Sequence, residues 1–148
     1  MSGFAAIGLA NPKNAINVGA TMRAAHAFGA AFVAYTGSRY KRAPTDPTSG
    51  HCVLPLIRVG DDQTSLRTII PFDCVPVAVE LVEGATWLPT YVHPERAFYV
   101  FGAEDATLGR SVLSWCRDVV QIPSAICLNL AAAVNVVLYD RMAKEACA

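Results

Sequence analysis

The stretch IPSAICLNLAAAVNVVLYDR, Ile122 to Arg141, opens on a strand end closed by Pro123 and runs into an unusually apolar helix. Leu128, Leu130, Val134, Val136, Val137 and Leu138 leave little room for a solvated face, so burial on several sides is expected. A single small domain can bury such a helix alone, and a second copy of the chain does so more easily. Asn129 is the polar exception at the helix entrance, where its side chain can cap backbone N–H groups or hydrogen-bond a ligand. Cys127 beside it reads as a packing thiol in preference to a nucleophile.

Upstream, FGAEDATL, Phe101 to Leu108, follows the apolar run AFYVFGA. Gly102 at the strand end lets a ligand approach the backbone, and Glu104 puts a carboxylate in the loop that follows; a turn with a capping acid is the bland alternative. Further upstream stands NVGATMRAAHAFG, Asn17 to Gly29. Asn17 is expected to cap a helix by accepting from the N–H of Gly19 or Ala20, and Gly29 to end it. Gly19, Arg23 and His26 share one helix face, and the small residue one turn before Arg23 opens space beside a guanidinium suited to oxyanions. A cap, a packing glycine and a surface arginine explain the same pattern. His26 receives no role.

The rest of the chain alternates short apolar runs with helical patterns, as an α/β fold requires. Strands are expected at Phe4 to Leu9, Ala31 to Tyr35, Val75 to Leu81, Ala97 to Phe101 and Val119 to Ile122, and their apolar character suits a parallel sheet buried on both faces. Helices are expected near Val18 to Phe28, Gln63 to Ile69, Ser111 to Trp115 and Leu128 to Ala146. Ser38 to Asp62, rich in Gly, Pro and Thr, reads mostly as loop, and Leu88 to Glu95 as a linker. With 148 residues, 53% of them hydrophobic and 16% charged, the chain fits one domain over residues 1–148 with a sizeable core.

No secretory signal or membrane-length apolar run is visible, and the five cysteines form no CxxC pair or metal-ligand spacing, so a reduced, cytoplasmic protein without a metal site is expected. Twelve basic and twelve acidic residues cancel, which argues against indiscriminate coating of nucleic acid. A polyanionic partner would have to use local charge. The dense basic cluster is Arg39, Lys41 and Arg42 around Tyr40, either a solvated turn or a phosphate grip. The absence of GxGxxG, P-loop, HExxH and GxSxG patterns disfavours dinucleotide enzymes, P-loop enzymes, zinc peptidases and serine hydrolases.

The order and spacing of the three stretches resemble the three motifs of the SpoU/TrmH family of RNA 2′-O-methyltransferases, within the SPOUT superfamily. The resemblance spans nearly the whole chain and implies a parallel-sheet domain with a deep trefoil knot near the C-terminus, which composition alone would not suggest. It implies S-adenosylmethionine as cofactor, RNA as substrate with tRNA ahead of rRNA, and a homodimer formed through the last helix. Asn17, Gly19 and Arg23 match the first motif, which makes Arg23 the leading catalytic residue, with Asn17 and Asn129 beside it. Gly102, Glu104, Ile122, Cys127 and Leu130 are implied to line the cofactor pocket, and Glu80 at a strand end is added to them. Because arginine stays protonated, Arg23 is read as orienting ribose and neutralising phosphate, not as a base.

The chain departs from the family pattern at Thr107, where a glycine is usual, and at Cys127 and Ala131, where serines are usual. These departures leave a rival reading open, a noncatalytic RNA-binding or assembly protein on the same fold. Methylation of a base instead of ribose is a weaker alternative.

Overall fold

The computed structural model describes residues 3–41 and 53–148, so Arg42 and Cys52 lie outside the described residues. The strands are β1 (Phe4–Leu9), β2 (Val33–Tyr35), β3 (Leu56–Arg58), β4 (Val75–Val79), β5 (Thr86–Trp87), β6 (Arg96–Phe101) and β7 (Asp118–Gln121). They form one sheet in the order β3-β2-β1-β6-β4-β7-β5, and every pairing is parallel. The helices are α1 (Ala15–Ala27), α2 (Arg110–Leu113) and α3 (Leu130–Ala146), with 3₁₀ turns at Gln63–Ile69 and Leu88–Thr90.

Alternation along the central strands divides the core between the two faces of the sheet. Ala5, Ile7, Leu9, Tyr99 and Phe101 pack with Val18 and Met22 of α1 and with Val134, Val137 and Leu138 of α3. Ala6, Ala78, Phe98 and Val100 face the other way, against Leu66 of the long 3₁₀ turn and Val112 of α2. A Cβ at Gly8 would come within 2.7 Å of the Phe98 ring, so glycine there is what lets Phe98 lie across β1.

Local signals set the helix ends. Asn14, not Asn17, caps α1 by accepting from the N–H of Ile16 at 2.8 Å, and Gly29 follows the helix at φ +71°. The expected N-cap Asn17 lies inside the helix and faces inward. Pro71 disfavours helical geometry in the residue before it, and Ile70 is extended at ψ 119°, which ends the 3₁₀ turn. Two short strands escape the sequence reading. β3 lies in the stretch read as loop, and β5 has only two residues, both at an edge of the sheet. β4 ends at Val79, so Glu80 immediately follows the strand, its N–H still donating to the Val120 carbonyl of β7 at 3.0 Å.

The C-terminal half of α3 is anchored by a polar network to the linker before β6. Arg141, 5% exposed, donates to the carbonyls of Pro94 (2.6 Å) and Glu95 (2.7 Å), and Lys144 donates to those of Leu88 (2.6 Å) and Tyr91 (3.0 Å). His93 lies between Tyr99, 2.6 Å from Nδ1, and Asp140, 2.8 Å from Nε2. Burial lowers the His93 pKa from its ordinary value and outweighs the opposing pull of Asp140. The folded chain therefore holds His93 neutral where the unfolded chain, near pH 6.5, begins to take up a proton. Stability is fully present above that value and is lost as pH falls through the lowered folded pKa. Thermal melts between pH 7.5 and 5 should show a steeper fall for the natural chain than for His93→Gln; equal slopes would contradict the assignment.

Candidate active site

Because the sheet is parallel, the loops leaving β1, β4, β6 and β7 all emerge at one edge. β1 and β6 are neighbours, yet the helices that follow them, α1 and α2, lie on opposite faces. Such a divergence opens a crevice beyond the strand ends, where α/β folds bind ligands. Two adjoining cavities occupy it, of about 620 Å³ and about 590 Å³. Glu80, Gly102, Glu104, Ile122, Cys127 and Leu130, the residues assigned to the cofactor, all line the first. Asn17, Asn129, Lys13 and Asn14 line the second, and Glu104, Cys127 and Leu130 belong to both.

A hydrogen-bonded row joins the three motifs where the cavities meet. Asn17 Nδ2 donates to Glu104 Oε1 at 2.9 Å, and Asn129 Nδ2 donates to Asn17 Oδ1 at 2.9 Å. Asn129 Oδ1 in turn accepts from the N–H groups of Ala131 (2.9 Å) and Ala132 (3.4 Å), which caps α3. The Asn17 side-chain amide thus both donates and accepts while the residue is only 8% exposed. The Glu104 carboxylate also accepts from the N–H groups of Lys13 and Asn14, each at 3.2 Å. Burial pushes the Glu104 pKa up, but these bonds, with Asn17 foremost, more than offset it, and the carboxyl lies below its ordinary value.

The loop after β6 is held from beneath. Glu80 accepts from the N–H of Leu108 at 2.8 Å and of Leu81 at 2.9 Å, which occupies both its oxygens with backbone. A Cβ at Gly102 would stand 3.1 Å from the Ala106 carbonyl, so any larger residue there would push the loop back by a few tenths of an ångström where it folds over the strand end. Among the described residues only Asn11 and Asp73 combine a side chain with positive φ. Thr107 therefore fits the loop without the left-handed geometry that would demand the family's glycine.

Other expectations need correction. Cys127, read as a buried packing thiol, is exposed at the mouth of both cavities. Arg39, in the cluster left open between a solvated turn and a phosphate grip, pairs with Asp105 at two points, 2.8 and 2.9 Å. Arg23 is exposed on α1, has no hydrogen bond or ion pair with described residues, and lines neither cavity. Six residues of helix turn it about 120° away from Asn17. On α3 one face is buried, while Val136 (38%) and Tyr139 (59%) stay exposed, as does Ile16 (78%) on neighbouring α1. Lys13 and Asn14, which line the second cavity and brace Glu104, went unnoticed because their contribution there runs through backbone N–H groups that no side-chain pattern reveals.

Fold and crevice define an α/β domain with two adjoining cavities at the strand ends of a parallel sheet. The sequence profile of the SpoU rRNA Methylase family matches residues 5–139, and the chain belongs to that family. The SpoU methyltransferase AviRb from Streptomyces viridochromogenes superposes at TM-score 0.81 and 22% identity, over 99% of this chain and 62% of its own. It has also been solved with AdoMet. The AdoMet-bound rRNA methyltransferase of Sinorhizobium meliloti gives 0.82 and 20%, over 97% of this chain and 57% of its own. A structure concerned with 2-OH methylation of C/U34 on tRNA gives 0.82 and 20%, over 99% of both chains. The chain thus spans less than two thirds of the first two relatives and nearly all of the third. No curated protein sequence matches it significantly. Among the described residues, no helix is long and apolar enough to cross a membrane, and no group of three or more His, Cys, Asp or Glu side chains could hold a metal ion.

Proposed function

We propose that the chain is a cytoplasmic homodimer, one domain over residues 1–148, that transfers a methyl group from S-adenosylmethionine to a ribose 2′-hydroxyl of RNA. The observation that carries this reading is the row Glu104, Asn17, Asn129, one residue from each motif, at the wall between two cavities. The larger cavity has the size of small-molecule sites and would take the cofactor between the apolar Phe101, Ile122 and Leu130 and the carboxylate of Glu104. The second, beside Lys13 and Asn14, would take the acceptor nucleotide. The choice of tRNA as the favoured substrate is supported by the relative concerned with tRNA methylation, whose length this chain matches almost throughout, and rRNA as the second choice by the S. meliloti enzyme. The likeness of the third motif to the family supports the deep trefoil knot.

S-adenosylmethionine supplies a methyl group on a positively charged sulfur; the protein's part is to align the 2′-oxygen with it and exclude water. With the cofactor bound, the ribose 2′-oxygen would gain a bond to the methyl carbon as the carbon–sulfur bond breaks, leaving S-adenosylhomocysteine, and the hydroxyl proton would pass to bulk solvent outside the cavity. Asn17 and Asn129 contribute as amides that do not titrate: they fix Glu104 and the start of α3 so that both cavities keep their shape. The exposed stripe of Ile16, Val136 and Tyr139 is the surface a second copy would cover. Arg23 rises from the same stripe, and in the dimer it would serve the partner's acceptor cavity.

The test is to incubate the chain with labelled S-adenosylmethionine and separate tRNA and rRNA pools, then digest the product to nucleosides. Label on ribose supports the reading, label on a base supports the weaker alternative, and no label by folded dimer supports the noncatalytic rival. Gly102→Ala should weaken cofactor affinity about tenfold, since the added methyl group pushes the Ala106 carbonyl and the loop above the cavity. Unchanged affinity in a calorimetric titration would contradict that placement.

A further inference from the structure

We propose that Arg39 is a positioning residue that clamps the two loops of the site together. Its guanidinium grips Asp105 of the loop after β6 at 2.8 and 2.9 Å, and the same Nη2 donates to the Asn11 carbonyl, in the loop after β1, at 2.7 Å. Asn11 is itself fixed, at φ 52°, by its N–H donating to the buried Thr36 hydroxyl at 3.1 Å and by its side chain packed on Gly37. The neighbouring Glu104 holds the N–H groups of Lys13 and Asn14. Consecutive carboxylates thus tie one loop to the other, Glu104 directly and Asp105 through Arg39. The first loop walls the second cavity and the other walls both, so loosening the clamp disturbs both cavities together. A lysine, a point charge without the planar fork, would keep one of the three bonds at a time.

The cofactor part of this inference rests on the proposed function, so its test has an arm that does not. In the ligand-free chain, amide hydrogen exchange across residues 11–14 and 103–108 should quicken about fivefold in Arg39→Ala, the scale of a half-exposed ion pair. Unchanged exchange overturns the clamp whatever the cofactor does. In calorimetric titration with S-adenosylmethionine, Arg39→Ala and Asp105→Ala should each weaken binding about fivefold, the double variant no more than either alone, and Arg39→Lys should recover part of the loss. The KM for cofactor and the KM for RNA should both rise while the melting midpoint holds. Single-variant losses that multiply in the double variant, or binding by Arg39→Ala equal to the natural chain's, would overturn the clamp. Quickened exchange in Arg39→Ala, together with no cofactor binding by the natural chain, would sink the proposed function and leave the clamp standing.

Discussion

Arg23→Ala should lower methyl transfer by about 10²–10³-fold, the effect of removing one group that stabilises charge in a transition state. The fold should not suffer, because Arg23 is exposed and has no hydrogen bond or ion pair with described residues; surface changes of this kind move stability by about 0.5 kcal/mol or less. Cofactor affinity should hold within about twofold, since Arg23 lines neither cavity of its own chain. The informative experiment mixes chains. A heterodimer of Arg23→Ala with a cofactor-defective Gly102 variant has one complete site if Arg23 serves its partner and none if it serves its own chain. At cofactor levels where each variant alone turns over slowly, activity of the mixture above that of either variant is the expected result. Persistent inactivity of a verified heterodimer would return Arg23 to its own chain's site and require a large movement of α1.

The second large effect is on stability. Arg141→Met should destabilise the fold by about 3 kcal/mol, the scale for leaving two backbone carbonyls without the donor they have in the fold. The side chain is 5% exposed, and its loss strips a donor from the Pro94 and Glu95 carbonyls and the ion partner from Glu145, 2.9 Å away. For a domain of this size that corresponds to a fall of roughly 10 °C in melting midpoint. Because the network fixes the C-terminal half of α3, far along the helix from Asn129, cofactor affinity measured well below the melting range should change little. A midpoint within about 2 °C of the natural chain's would show that water or a neighbouring donor takes over these carbonyls.

What could be read from the sequence follows the strength of the local signals. The central strands were visible because residues buried on both faces leave unbroken apolar runs such as Ala97 to Phe101. β3 and β5 were not, because two or three residues at a sheet edge carry no periodicity. The six residues assigned to the cofactor line one cavity, since Glu80, Gly102, Glu104 and Ile122 stand just after strand ends that parallel pairing delivers to one edge, and Cys127 and Leu130 lie on the chain leading from β7 into α3. The cap of α1 was misplaced by three residues, since Asn14 and Asn17 are equally good caps on paper and the inward-facing link from Asn17 to Glu104 spans 87 positions of chain. Long-range pairing also hid the fate of Arg39, whose neighbours in sequence suggested phosphate and whose partner in space is Asp105.

The most direct test of the account is a calorimetric titration of the purified natural chain, cleared of co-purified ligand, with S-adenosylmethionine. One saturable site per chain, weakened by Gly102→Ala and kept in Arg23→Ala, is the predicted result. No binding by a chain shown to be folded would contradict the assignment of the larger cavity and with it the catalytic reading.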